Sequence, residues 1–148
     1  GDKVGLFAAL IARNAHRVEA ELTASRAAGG AGLDALDRVG RALLAMLVDD
    51  RAIALNRAAA ADQSGALGAA LATGGRERIA PLLGALIGEA APEATDHGAR
   101  AETYIALLVG DVQIRRVIGA IKAPSPAQID ARANRAMAQF RALYPSDP

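Results

Sequence analysis

The sequence has no cysteine, no tryptophan and only four aromatic side chains among its 148 residues. Without cysteine, the chain cannot be a disulfide-stapled secreted mini-protein and cannot use a thiol nucleophile. An excess of one charge is also missing, since 17 basic and 16 acidic side chains leave a formal net charge of +1. That balance gives no overall positive field to hold the chain on nucleic-acid phosphates or on an anionic membrane.

Long apolar runs are absent as well. The longest stretch without a charged residue, residues 63–75, contains 13 residues and four glycines, whereas a membrane-spanning helix needs about 20 apolar residues. The N-terminus begins with charge and lacks an apolar segment followed by a small-residue cleavage site, so it does not resemble a signal peptide. We therefore expect a cytoplasmic protein, and the lack of a repeat or long linker predicts a single domain over residues 1–148.

Alanine is abundant, at 38 residues, and it is the best helix former, whereas strands prefer aromatic and β-branched residues. Composition therefore predicts an all-α protein. Apolar residues spaced three and four apart predict helices over about 2–26, 33–48, 51–61 and 79–91, and a short helix followed by a break within 63–75. A longer helix is predicted from Ala101 through Ile118, ending before Pro124. The last helix begins after Ser125, because a capping serine, a proline and Gln128 follow one another at capping-box spacing. About six helices result.

Residues that carry chemistry are sparse. There are two histidines, and no H-E-x-x-H, Walker or G-x-S-x-G pattern is present. The segment Gly30–Ala35 formally matches G-x-G-x-x-A, but that dinucleotide fingerprint follows a strand, and here a helix precedes it. His16 and Glu19 lie three residues apart, yet a metal site in a helical bundle needs several inward carboxylates. The sequence thus predicts no enzyme, no catalytic residue, no metal site and no cofactor.

Several polar side chains interrupt the apolar helix faces, and burying one without a partner costs about 1–3 kcal/mol. These residues are Asn14, Asn56, Tyr104, Asp111 and Arg115. The last three share one face of a predicted helix, which leaves two interpretations open. Either Asp111 and Arg115 form a surface pair with the tyrosine hydroxyl at the protein edge, or the three residues line a pocket or a dimer interface.

The N-terminal segment Gly1-Asp2-Lys3-Val4-Gly5-Leu6-Phe7 resembles the segment that follows the helix-turn-helix unit in TetR-family transcriptional regulators. The match rests on Gly1, Lys3, Leu6 and Phe7. The rest of the chain is similar to the C-terminal domain of that family in the order of its parts: a long helix, an L-x-x-L-x-x-x-G-R-A-L-L helix at residues 33–44, a short helix with Arg57, and a Pro-Ser-Pro-Ala-Gln-Ile-Asp start to the last helix. The resemblance implies an Ω-like bundle that encloses a ligand pocket and dimerises through its last two long helices.

The same resemblance implies a DNA-reading three-helix unit ahead of this sequence, which the 148 residues do not include. We favour a fragment of a longer regulator over a gene product that has lost this unit. Lys3 would then touch a DNA phosphate in the complete protein, the other interpretation being an ordinary exposed lysine. Arg57 is expected to be a structural ion-pair residue.

The function expected from the resemblance is effector sensing and homodimerisation in a transcriptional regulator, with a small hydrophobic ligand controlling DNA binding through population shift. The shortage of aromatics favours an aliphatic pocket. Ligand contacts are expected at inward positions of the first five longer helices: Ile11, Asn14, Met46, Leu47, Asn56, Leu86, Tyr104 and Leu108. Dimer contacts are expected on the last two helices, which are rich in small residues: Val112, Arg116, Gly119, Met137, Phe140 and Tyr144.

Two other functions stay open at this point. The chain could be a stand-alone helical interaction or adaptor domain without a ligand, which requires a core with no cavity larger than a water molecule. A helical-bundle enzyme or metal carrier would need a cluster of carboxylates and histidines that the sequence does not contain.

Overall fold

The computed structural model describes residues 2–145, and within that range the chain forms helices and loops without a strand. The predicted all-α class is confirmed. Gly1, on which part of the N-terminal resemblance rests, lies outside the described residues. The longer helices are α1 (Lys3–Ala27), α2 (Gly32–Leu47), α3 (Asp50–Ala61), α5 (Glu77–Ala90), α6 (His97–Val109) and α8 (Pro126–Leu143). Two shorter ones are α4 (Ala66–Leu71) and α7 (Val112–Val117).

Side-chain caps fix several helix starts. Asp2 accepts a hydrogen bond from the Gly5 N–H at 2.6 Å, so α1 begins at Lys3. Asp49 caps α3 in the same way. The predicted capping box at the start of α8 is confirmed, because Ser125 accepts from the Gln128 N–H at 3.2 Å and its own N–H donates to the Gln128 side chain at 2.9 Å. Such caps satisfy backbone N–H groups that have no partner within the helix.

The prediction of one continuous helix from Ala101 to Ile118 is wrong, because the chain breaks after Val109. Gly110 has φ +48°, a conformation that favours glycine and ends α6. Arg132 of α8 then donates hydrogen bonds to the carbonyls of Leu108 at 2.6 Å and Val109 at 2.9 Å. These bonds occupy carbonyls that the end of a helix leaves unpaired.

The predicted break at the end of residues 63–75 is also wrong. A π-helical turn, Ala72–Arg76, connects α4 to α5 without a loop. It brings Gly74 against α1, where a Cβ on Gly74 would lie 2.8 Å from the Ile11 side chain. Residues 66–90 therefore form one continuous helical segment, which the π-helical turn interrupts.

Apolar side chains form two clusters. The main core contains most buried residues and surrounds α2, which packs against α1, α5, α6 and α8. The second cluster lies near the start of α1 and consists of Phe7, Ile11, Leu55 and Leu67. The two clusters leave a seam between them, on the side of the molecule where α1, α3 and α4 meet.

In the main core, the Tyr104 side chain of α6 reaches the backbone of α2. Tyr104 is fully buried, its ring meets Phe140 edge-on at 5.5 Å between centroids, and its hydroxyl donates to the Leu36 carbonyl at 3.4 Å. A Cβ on Gly40 would overlap that hydroxyl. Glycine at position 40 therefore leaves the space that the buried Tyr104 hydroxyl occupies.

Candidate ligand-binding site

A cavity of about 480 Å³ lies in the seam between the main core and the second cluster. This volume falls within the range of about 300–1,000 Å³ that is typical of small-molecule sites. Its larger lining side chains are aliphatic or thioether groups from both clusters: Ile11, Leu43, Met46, Leu47, Leu55, Leu71, Ile79, Ile105 and Val109. Among the described residues that line the cavity, none is aromatic, which agrees with the expected aliphatic pocket.

Four polar side chains interrupt this apolar wall: Asn14 on α1, Asn56 on α3, Gln113 on α7 and Arg76 at the end of the π-helical turn. The Asn56 amide donates to the Ala52 carbonyl at 2.9 Å, and the Gln113 amide donates to the Leu47 carbonyl at 3.0 Å. Arg76 is exposed and is the one ionisable residue of the wall within the described part of the chain. Such a wall suits a mostly apolar ligand with a small number of polar contacts.

Asn14 differs from the other polar groups because it is buried, with 5% of its surface exposed. Its Oδ1 atom has no hydrogen-bond partner in the described structure. An amide oxygen in this position costs about 1–3 kcal/mol relative to a paired one. One residue of the cavity wall therefore carries a buried polar atom that the protein leaves unsatisfied.

Arginine side chains hold the ends of the helices that form this wall. Arg116 of α7 donates to the Val48 carbonyl at the end of α2 at 3.1 Å, and it pairs with Asp50 at 2.6 Å. Arg57 of α3 in turn donates to the carbonyls of Val117 at 2.8 Å and Arg116 at 3.0 Å, at the end of α7. The expected ion-pair role of Arg57 is therefore corrected: its described partners are backbone carbonyls, because its neighbour is the C-terminus of a helix.

The structure places five of the eight predicted ligand contacts together in the cavity wall: Ile11, Asn14, Met46, Leu47 and Asn56. The other three, Leu86, Tyr104 and Leu108, are fully buried in the main core and do not line this cavity. Periodicity identifies the inward face of a helix but does not distinguish a side chain that packs in the core from one that lines a cavity. It therefore selected both the five wall residues and the three core residues. Burial raises the pKa of Tyr104 well above its usual range, so its hydroxyl stays neutral.

Sequence reasoning missed much of the opposite wall, which is formed by the π-helical turn and the α6–α7 break. Ala72, Gly75 and Arg76 line the cavity from the turn, while Val109 and Gln113 line it from either side of the break. The weak apolar pattern and repeated glycines of residues 63–75 were the available signal, since glycines leave unfilled space beside a helix. Gln113 lies in the first turn of α7, directly after the break that the sequence did not predict.

The predicted dimer-interface residues fall into two groups. Arg116, Met137 and Phe140 are buried within the single chain, where they pack or cap other helices. Val112 and Tyr144 are half-buried, and Gly119 is exposed. Large apolar side chains that do reach the surface near these helices are Ile114, Ile118 and Leu143.

The remaining predicted polar residues lie on the surface. Lys3 is exposed at the first turn of α1, while Asp111 and Arg115 are exposed on either side of the start of α7. The polar face expected for Tyr104, Asp111 and Arg115 does not form, because Tyr104 turns into the core and the helix breaks before Asp111.

Ion pairs lie away from the cavity. The Arg26 guanidinium, together with the Gly32 N–H, lowers the pKa of Glu89 to about 2. The Arg78 guanidinium likewise lowers the pKa of the Glu19 carboxyl. These pairs join α1 to α5.

In residues 2–145, no three histidine, aspartate or glutamate side chains lie close enough to hold a metal ion. None of the described helices is both long enough and apolar enough to cross a membrane.

One comparison with known proteins gives a match. A family model described as the C-terminal domain of AefR-like transcriptional repressors, TetR_C_7, matches residues 34–146. The match therefore covers most of the chain, from the first turn of α2 past the end of α8. No curated protein and no solved structure matches the chain.

Proposed function

The chain belongs to the TetR family, as a C-terminal domain of the AefR-like repressor type, and we propose that it senses a small hydrophobic effector in the cavity between its two apolar clusters. The effector would control DNA binding by a helix-turn-helix unit that precedes this domain in the complete regulator. Homodimerisation and a cytoplasmic location belong to the same proposal.

The observation that supports this proposal is the cavity itself. A small-molecule site is a cleft or cavity of about 300–1,000 Å³ with a mostly apolar wall, and this one, which opens to solvent, has about 480 Å³ bounded mostly by aliphatic side chains. An adaptor domain without a ligand is the alternative, and it requires a core without such a cavity. The cavity favours the sensing function.

Helix α1 connects the cavity to the start of the domain. Ile11 and Asn14 line the cavity, and Lys3 lies about two turns before Ile11 and three before Asn14 on the same helix. A ligand that contacts α1 differently in two conformations would shift their populations and reposition the first turn. In the complete regulator, Lys3 would then move relative to a DNA phosphate.

For the dimer, we propose the surfaces of α7 and α8, where Ile114, Ile118 and, at the far end of α8, Leu143 are exposed. Ile114 and Ile118 lie one turn apart, and adjoining exposed apolar side chains are typical of association surfaces. Light scattering at micromolar concentration should give twice the mass of one chain. An Ile118→Asp variant should shift the protein to a monomer, and a wild-type monomer would contradict this part of the proposal.

Ligand binding is best tested by filling the cavity. Gly68 lines it, and a Cβ at this position would meet no heavy atom within 4 Å. A Gly68→Leu variant should therefore place a side chain in free space and exclude part of an aliphatic ligand. Displacing two ligand methylenes costs about 1.6 kcal/mol, or roughly tenfold in affinity.

Gly98→Leu is the matched control, because Gly98 is also helical, is exposed and has equal space around it, but does not line the cavity. Binding of 1-decanol and 1-methoxynonane would be measured by calorimetry and by thermal shift, since binding to the native state raises Tm. Affinity should fall in Gly68→Leu and not in Gly98→Leu. Absence of saturable binding to the wild type, or an equal loss in both variants, would refute the sensing function.

A further inference from the structure

The exposure of the lining residues locates the mouth of the cavity. Four residues of the wall are exposed, Ala72 and Arg76 of the π-helical turn and Ala106 and Gly110 at the end of α6. The other described residues of the wall are buried or half-buried. The cavity therefore opens to solvent between the π-helical turn and the end of α6.

Arg76 carries the one long side chain at this mouth, where the other three exposed wall residues are alanine or glycine. It forms no ion pair within residues 2–145, whereas Arg78, two positions further on, pairs with Glu19. The carboxylates of Glu77 and Asp111 are exposed nearby in sequence, but neither residue lines the cavity or pairs with Arg76. The described wall thus presents one positive charge at its mouth and none in its interior.

A strip with little side-chain bulk leads inward from Arg76. Gly68, Ala72 and Gly75 all line the cavity from the helical segment 66–90. A Cβ at Gly68 or at Gly75 would meet no heavy atom within 4 Å. From Gly68 to Arg76 a helix rises by about 12 Å. This strip therefore leaves space for an extended chain that lies along the helix.

We propose that the effector is a linear aliphatic carboxylate, bound with its carboxylate beside Arg76 at the mouth and its alkyl chain along the strip toward Gly68. This inference rests on the proposed sensing function and names its ligand class. At the mouth the carboxylate keeps part of its hydration, so its charge is not buried in the apolar interior. One guanidinium balances one negative charge and binds a carboxylate through two parallel hydrogen bonds.

Neutral and cationic chains are the competing ligand classes. An alcohol gains the same contacts with the aliphatic wall without the attraction of Arg76, and an alkylammonium is repelled by Arg76. Because Arg76 is exposed, its attraction for a carboxylate contributes up to about fivefold in affinity. The charge therefore selects among chains that the apolar wall binds.

The test measures Kd by titration calorimetry at pH 7 for decanoate and nonylammonium, which carry the same alkyl chain and opposite charges. Arg76 attracts one ligand and repels the other, so wild-type protein should bind decanoate about tenfold more tightly. Arg76→Gln should remove most of this difference, and Arg76→Glu should reverse the order of the two affinities. A difference that stays unchanged in both variants overturns the role of Arg76.

Arg141→Gln is the matched control, because it removes the same charge from an exposed position in the last turn of α8. Helix α8 contributes no described residue to the cavity wall. Decanoate should keep its advantage in this variant. Equal losses in Arg76→Gln and Arg141→Gln would mean that the overall charge of the domain selects the ligand, and they would overturn the assignment.

1-Decanol shows whether Arg76 acts on the carboxylate or only supports the wall. Its Kd should be the same in the wild type, Arg76→Gln and Arg76→Glu, since the alcohol has no charge. If Arg76→Gln weakens the binding of 1-decanol as much as that of decanoate, Arg76 has a structural role and the ligand class is wrong.

Chain length tests the direction in which the ligand lies. Two more methylenes, from octanoate to decanoate, should improve the affinity of the wild type about tenfold. In Gly68→Leu most of this gain should disappear, because the leucine occupies the far end of the strip. An undiminished gain would place the chain elsewhere in the cavity and overturn the proposed orientation.

Failure of this inference is distinguishable from failure of the sensing function. Saturable binding of 1-decanol, together with equal binding of decanoate and nonylammonium to the wild type, overturns the carboxylate class and leaves the sensing function in place. If neither 1-decanol nor either charged ligand binds, the sensing function fails, and the ligand class fails with it.

Discussion

Replacing Arg116 with methionine distinguishes a structural role within one chain from a role in the dimer interface. The guanidinium donates to the Val48 carbonyl at 3.1 Å and to Asp50 at 2.6 Å, and 8% of the residue surface is exposed. Methionine retains a long apolar stem but removes both hydrogen bonds. It also leaves the carbonyl at the end of α2 without its charged donor.

The magnitude follows from these contacts. A hydrogen bond from a charged donor contributes about 1.5–3 kcal/mol. The Asp50 side chain is 95% exposed, so this second contact adds only about 0–1 kcal/mol. Together these contacts predict a loss of about 1.5–4 kcal/mol. For a domain of this size, each kcal/mol shifts Tm by about 2–4 °C, so Tm should fall by about 3–16 °C.

The assay is urea denaturation together with calorimetric unfolding at two protein concentrations that differ tenfold. Arg115→Met is the control, because Arg115 lies next in the chain, is exposed and makes no side-chain hydrogen bond in the described structure. Its stability should stay within about 0.5 kcal/mol of the wild type. Equal behaviour of the two variants would refute the capping role of Arg116. A loss that disappears at high concentration would place Arg116 in the dimer interface instead.

Gly40→Ala should destabilise the protein by about 1–3 kcal/mol in chemical denaturation, because the added methyl group overlaps the buried Tyr104 hydroxyl; a gain, as expected for alanine in an ordinary helix, would contradict this packing. Glu89→Gln should make Tm depend less on pH in the acidic range. The carboxyl has a folded-state pKa of about 2, against 4.5 without Arg26 and the Gly32 N–H, so its stabilisation is present above pH 4.5 and is lost as the pH falls toward 2. Calorimetry between pH 5 and pH 2 should show a larger Tm loss in the wild type than in Glu89→Gln, and equal losses would exclude this contribution.

Helix starts were the part of the fold that the sequence predicted best, because the interactions that fix them are local. Asp49 and Ser125 cap backbone groups within three residues, and such pairs can be identified directly from the chain. The end of α6 was missed because apolar spacing continues through Ile105, Leu108 and Val112. What stops the helix is the conformation of a glycine and an arginine from α8, distant in sequence.

The candidate site was predictable to the extent that it coincides with inward helix faces. Periodicity identified Ile11, Met46 and Leu47 as inward, but it identified Leu86 in the same way, and only the first three border free space. An inward side chain borders the cavity only where the main core and the second cluster do not pack against each other, and this depends on the three-dimensional arrangement of the helices. Asn14 was the exception, because a polar residue on an apolar face already signalled an unmet hydrogen bond.

The π-helical turn at Ala72–Arg76 lets the cavity vary without moving the helices on either side of it. A π turn contains one residue more than the α turn that it replaces. Deleting Thr73 would restore a regular α turn, and because each is a single turn, α4 and α5 would keep the same faces toward their neighbours. Leu67 would stay in the second cluster, while the part of the wall formed by Ala72, Gly75 and Arg76 would change. Relatives that differ by one inserted or deleted residue here should therefore differ in the local shape of the cavity and retain the packing around it.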